Sequence, residues 1–178
     1  MKELTPKEVA IIKETWKIPS ANAMDSGELI FYTFLERFPE YQQKFPAFRD
    51  KPLAELKGTV TFRAHASRIL NVFSSVIDSL DKDTELKGIK TIIADVGRTH
   101  LKRKVSKKSQ NDLRGILFEI LISVCKLDAE GENCSFFTKN SRINVFVTLL
   151  GKTAWTKFLD IFYHILFECL DGRSDQFY

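Results

Sequence analysis

The chain has 178 residues, enough for one domain with a substantial core and no need of disulfide staples. Its 44% hydrophobic and 28% charged residues are the proportions of an ordinary soluble globular protein, and no apolar run approaches the roughly 18 residues of a membrane span. The net charge of +4 is spread among interspersed acidic residues and does not point to nucleic acid, while three cysteines are too few and too oddly placed for a disulfide framework. With no signal-peptide stretch at the N-terminus, the expected setting is intracellular, reduced and cytoplasmic, away from any membrane.

Helical periodicity dominates the chain. Thr5-Pro6-Lys7-Glu8 is a helix start, with Thr as cap, Pro in the first turn and Glu placed to return a bond to the cap. The helix it opens carries Val9, Ile12 and Trp16 and is expected to stop near Pro19. A second helix, opened by Asp25 or Ser26, carries Ile30, Phe31, Phe34 and Leu35 and is limited by Pro39. A short Phe-rich segment, Tyr41 to Phe48, leads to a long helix expected from Leu53 to Leu80, with Phe62, His65, Ile69, Val72, Phe73 and Val76 on its buried stripe. After a polar break, a helix runs through Ile92, Ile93 and Val96 to His100, followed by the basic stretch Lys102 to Lys108. Two further helices carry Leu113 to Val124 and Trp155 to Leu170. Between them, about Glu130 to Lys152, no helical stripe is visible, and the β-branched run Asn144 to Leu150 reads more like a strand. The expected architecture is therefore all-α: one domain over 1–178, six to eight helices of mixed length packed at steep angles, and a loop insertion at about 130–152.

Only three histidines are present, so their placement is informative. His65 lies on the apolar stripe of the long helix, His100 ends the shorter one, and His164 in the last helix is assigned no role. Taken singly, His65 reads as a boundary histidine and His100 as a cation at a helix C-terminus. Together, on neighbouring helices in Phe-rich surroundings, they suggest a metal flanked from two sides. Zinc fits poorly, because no Cys or carboxylate cluster accompanies them at zinc-site spacing. Haem fits better: the porphyrin brings four nitrogens and asks the protein only for axial imidazoles. Fifteen phenylalanines suit so large an apolar ligand.

Pro39, Phe45, Phe48, His65 and His100, in that order and spacing, resemble the landmark residues of globins. Trp16 in the first helix matches as well, as does Gly27 in the second, which would let that helix press against the long one at Ala66. SGELIFYTFLERFP, FRAHASRI and HLKRKVS are similar to intracellular insect haemoglobins, over about residues 1–128 and 153–172.

The resemblance implies a haem b with His100 as proximal iron ligand and His65 as distal residue, which either donates its N–H to a gaseous ligand or binds the iron itself. Phe45 would stack on the macrocycle, Phe31 and Ile69 would line the ligand space, Val105 would pack at the corner after His100, and Arg68 would reach a propionate. The implied function is reversible binding of dioxygen or other small gases for storage, buffering or transport, without enzymatic turnover. The competing reading is a haem enzyme acting on nitric oxide, nitrite or peroxide with an external reductase. Lys102 to Lys108 also resembles a short nuclear-import signal or phosphate-binding patch, but a solvated corner facing the propionates is the preferred reading.

Overall fold

A computed structural model describes residues 3–83, 86–125, 127 and 141–177. The first helix, α1 (Pro6–Ser20), starts on the expected capping box: Thr5 N–H donates to Glu8 Oε2 at 2.8 Å and Glu8 N–H donates to Thr5 Oγ1 at 3.3 Å. It runs one residue past Pro19, which sits in the last turn. The second helix, α2 (Ala23–Arg37), opens earlier than expected, because Asn22 supplies the cap by accepting the Asp25 N–H. It stops ahead of Pro39, where a 3-10 helix, Pro39–Lys44, begins.

The long helix expected from Leu53 is two pieces, a single turn α3 (Leu53–Leu56) and then α4 (Val60–Ser79). Gly58, at φ +78°, divides them, and its N–H is taken by the Glu28 carboxylate of α2. A left-handed residue cannot continue a helix. Leu86, at φ +56°, then leads into α5 (Lys87–Lys102), and Ser106 caps α6 (Lys107–Val124).

The last helix, α7 (Ser141–Leu170), is 30 residues long, and it corrects the strand reading of Asn144 to Leu150. Its later turns are pinned by Trp155, Phe158 and Phe162, all nearly inaccessible. Once those turns exist, each added residue gains a hydrogen bond without a new nucleus. That outweighs a β preference worth at most about 1 kcal/mol per residue. Of the insertion expected at about 130–152, residues 130–140 lie outside the described residues. Residues 141–152 belong to α7, where Gly151 seats against Leu127. A final 3-10 helix, Ser174–Phe177, ends the described chain.

Among the described residues there are seven α-helices, two short 3-10 helices and no strand, so the all-α expectation holds. No described helix is long and apolar enough to cross a membrane. The core gathers Ile12 and Trp16 of α1, Phe73 and Ile77 of α4, Leu117 and Leu121 of α6 and Trp155 of α7. Both of its tryptophan N–H groups are paired, as burial demands. Trp155 Nε1 donates to Thr15 Oγ1 at 3.1 Å and Trp16 Nε1 to Ser74 Oγ at 2.9 Å.

Two crossings set the positions of the helices that carry histidines. At Gly27 an added Cβ would stand 2.7 Å from the Ala66 carbonyl oxygen, so α2 lies directly on the α4 backbone beside His65, as Gly27 and Ala66 suggested. At Gly97 an added Cβ would collide with the Cys169 Cβ, so α5 is pressed equally hard on α7 one turn before His100.

Candidate functional site

The first link is electronic. His100 is half-buried in the last turn of α5, and its Nδ1 lies 2.8 Å from the Val96 carbonyl oxygen of the preceding turn. A carbonyl can only accept, so Nδ1 carries the proton, and the neutral ring has its lone pair on Nε2, away from the helix. Burial holds the ring's pKa below its ordinary 6.5; the Val96 carbonyl opposes that and the Arg103 charge adds to it. The α5 helix thus presents an oriented, uncharged imidazole nitrogen, the form in which histidine binds a metal.

His65 sits in the second turn of α4, half-buried in a nest of rings. Phe31 of α2 lies 4.8 Å away, centroid to centroid, Phe45 lies 5.1 Å away and edge-on, and Phe48 lies 5.9 Å away. Burial pushes its pKa down to about 4, helped by the positive charges of Arg68 and Arg103 and by that of His100 whenever it is protonated. Arg103 and His100, at the end of α5, are near enough to act on His65 electrostatically. Two uncharged imidazoles thus border the space where α4 and the end of α5 approach.

The apolar side chains beside that space are incompletely covered by the protein itself. On α4, His65, Ile69 and Val72 share a face at helical spacing, and all three are only half-buried. Phe45, after the 3-10 helix, and Val96 of α5 are likewise partly exposed although packed on the core. Phe31 lies deeper, 2% exposed, with Phe45 and Phe62 on its ring at 5.1 Å and 4.9 Å. Val105 is half-buried, and its N–H donates to the His100 carbonyl at 3.0 Å, which turns the chain sharply beneath the histidine. Arg68 is exposed on α4, close enough to act on His65.

The sequence reading singled out Arg68 and passed over Arg103, which caps α5 and acts on both histidines. It was legible only as one of several cations in Lys102 to Lys108. The structure sorts that stretch: Lys107 pairs with Asp171 at 2.5 Å and Lys108 with Asp112 at 2.9 Å, while Arg103 stays exposed beside the space between the histidines.

The donor set decides what kind of group fits. Among the described residues no three His, Cys, Asp or Glu side chains converge as a metal site. Two imidazoles can hold a metal here only if the group brings its own further donors. A flat apolar macrocycle does so, and would cover the half-exposed Phe45, Ile69, Val72 and Val96, with cations from Arg68 and Arg103 near any acidic edge.

Comparison with known proteins points the same way. The Globin family model matches residues 28–142. The chain is 29% identical to globin CTT-VI of Chironomus thummi thummi over 95% of this chain and 90% of that protein. Its fold is similar to a Drosophila melanogaster hexa-coordinate hemoglobin studied for cyanide binding and heme cavity transitions, at 36% identity, a TM-score of 0.76, and 93% and 94% of the two chains. It is also similar to hemoglobin component V of Propsilocerus akamusi, at 26% identity, a TM-score of 0.77 and 99% of each chain.

Proposed function

Taking as premise that the chain belongs to the globin family, whose members bind small gases through haem, we propose that it binds dioxygen reversibly at a haem b held by His100 and faced by His65. The observation that carries this reading is the pair of neutral imidazoles, with the His100 Nδ1 proton committed to the Val96 carbonyl. When bound, haem supplies four equatorial nitrogens and an iron able to take up a small gaseous ligand. His100 Nε2 is the donor on one face. The Val96 carbonyl fixes its ring and makes it a better base.

His65 governs the other face. Its low pKa keeps it uncharged at neutral pH, so it can offer either an N–H or a lone pair to the space. The rings of Phe31, Phe45 and Phe48 limit how far it swings. Phe45, Ile69, Phe31 and Val105 exclude water from the macrocycle, and Arg68 and Arg103 meet its carboxylates. In the absence of a gas, His65 would be free to offer its lone pair to the iron; the similarity to a hexa-coordinate Drosophila hemoglobin supports this. Ligand affinity then falls by the fraction of molecules in which His65 stands clear. The role is storage, buffering or transport of dioxygen in the cytoplasm, without turnover of a substrate.

The test is the absorption spectrum of the reduced protein without ligand, followed by a dioxygen titration. A low-spin, six-coordinate spectrum that His65→Leu converts to a high-spin, five-coordinate one, with saturable dioxygen uptake in both forms, is the expected result. A high-spin spectrum unchanged by His65→Leu would refute internal coordination by His65. Failure of the reduced protein to take up dioxygen would refute the function.

A further inference from the structure

Further along the same faces of α4 and α5 that carry His65 and His100, the helices leave a second space. A cavity of about 200 Å³ opens where four elements meet. Val76 and Leu80 of α4, Ile89 and Ile93 of α5, and Ile161 and Phe162 of α7 form its walls, and Leu4 and Val9 border the remaining, partly open side. Phe162 is held in place by stacking on Phe73, 4.5 Å between centroids with rings 16° from parallel. We infer that this cavity is a binding site for a small uncharged apolar molecule of single-ring size, such as an alkylbenzene, independent of the haem.

Size and lining select that class together. An apolar cavity of about 150 Å³ in another protein stays dry and takes up benzene, whereas drug-sized ligands need about 300 Å³ or more. The cavity here falls between those limits. Its walls are mostly aliphatic and aromatic, with Glu3 and Asp83 at a side partly open to solvent, so water deep inside would forgo most of its hydrogen bonds. The carboxylates beside it are accounted for. Asp83 accepts the N–H groups of Lys87 at 3.0 Å and Ile89 at 2.9 Å, capping α5, and Glu3 is exposed to solvent. A polar or cationic ligand would therefore surrender its own hydration without a buried partner. An alkylbenzene surrenders none.

Toluene is the probe, titrated into the protein as purified and followed by methyl NMR and by the haem absorption band. The expected result is saturable shifts at the Ile89, Ile93 and Ile161 methyls, with Ile69 and the absorption band unmoved. Leu80→Phe and Ile161→Phe, each filling part of the cavity, should weaken toluene binding at least tenfold while leaving the absorption spectrum intact. Shifts centred on Ile69 with a moving absorption band would place toluene between the histidines and overturn the assignment. So would an absence of saturation up to the solubility limit of toluene, or folded variants that bind as tightly as the parent. If neither variant folds, the methyl map of the unmodified protein still decides.

Discussion

Gly27→Ala tests how the distal histidine is placed. An alanine Cβ at this position would stand 2.7 Å from the Ala66 oxygen, 2.8 Å from the Ala66 carbonyl carbon and 3.1 Å from the Ser67 nitrogen, where ordinary contact begins at 3.4 Å. All three neighbours are backbone, so no rotamer change relieves the clash. The α2 and α4 helices must part by about 0.7 Å at the turn that carries His65. Overpacking of this kind costs about 1–3 kcal/mol. Replacing a helical glycine by alanine returns about 1 kcal/mol. The net loss expected is up to about 2 kcal/mol, which for a domain of this size lowers Tm by up to roughly 8 °C. Gly115→Ala in α6 is the internal control. It is exposed, and nothing lies within 4 Å of its added Cβ, so the helix-propensity gain should appear alone and raise Tm. Thermal unfolding of both variants followed by circular dichroism, together with the reduced visible spectrum, reads the outcome. A Gly27→Ala Tm raised as much as that of Gly115→Ala, the helix-propensity gain with no overpacking cost, would refute the close approach of α2 to α4.

Gly97→Ala should push α5 off α7 at Cys169, one turn before His100, and speed haem loss to an excess of a haem-scavenging apoprotein; an unchanged rate would mean that this crossing does not position His100. Glu8 is 3% exposed, and its carboxyl is held below its ordinary 4.5 first by the Lys157 ammonium bonded to it at 2.5 Å, then by the Thr5 N–H. A lowered folded pKa means that the unfolded chain binds protons first on acidification. The contribution of Glu8 is therefore complete above about pH 4.5 and is lost as pH falls through the lower folded value. Glu8→Gln should be less stable than the parent at pH 7, and the two should converge in acid; parallel stability curves between pH 6 and pH 3 would contradict this. Deletion of residues 130–140, which leaves all of α7, should preserve the haem spectrum, since a longer loop costs only about 0.6 kcal/mol per doubling. Loss of haem on deletion would show that this segment serves the site.

What could be read from the sequence was whatever depends on local chemistry. Thr5 and Glu8 state a capping box in four residues, and Gly27 with Ala66 announces a close crossing because both lack bulk. His65 and His100 stand out because histidine is scarce in this chain and each lies beside apolar helix positions. The polar break after Leu80 and the basic stretch after His100 likewise mark real helix ends. What escaped depends on contacts between distant segments. The crossing of Gly97 on Cys169 joins positions far apart in the chain, and no local pattern marks it. The break at Gly58 is set by its left-handed backbone and its bond to Glu28, a residue 30 positions earlier in the chain. The helical start of α7 was hidden by β-branched residues whose weak preference yields to the helix that follows them. Arg103 was one cation among many until Lys107 and Lys108 were seen to have acidic partners.

The central claim is that His100 is the residue through which this chain holds haem. It is tested most directly by reconstituting His100→Ala and His164→Ala side by side with haem and recording their spectra. His164 is exposed on α7, so its removal should leave the parent spectrum unchanged, whereas His100→Ala should lose most of its haem and retain only a loosely held fraction with an altered band. A parent-like spectrum in His100→Ala, with loss of haem in His164→Ala, would contradict the account.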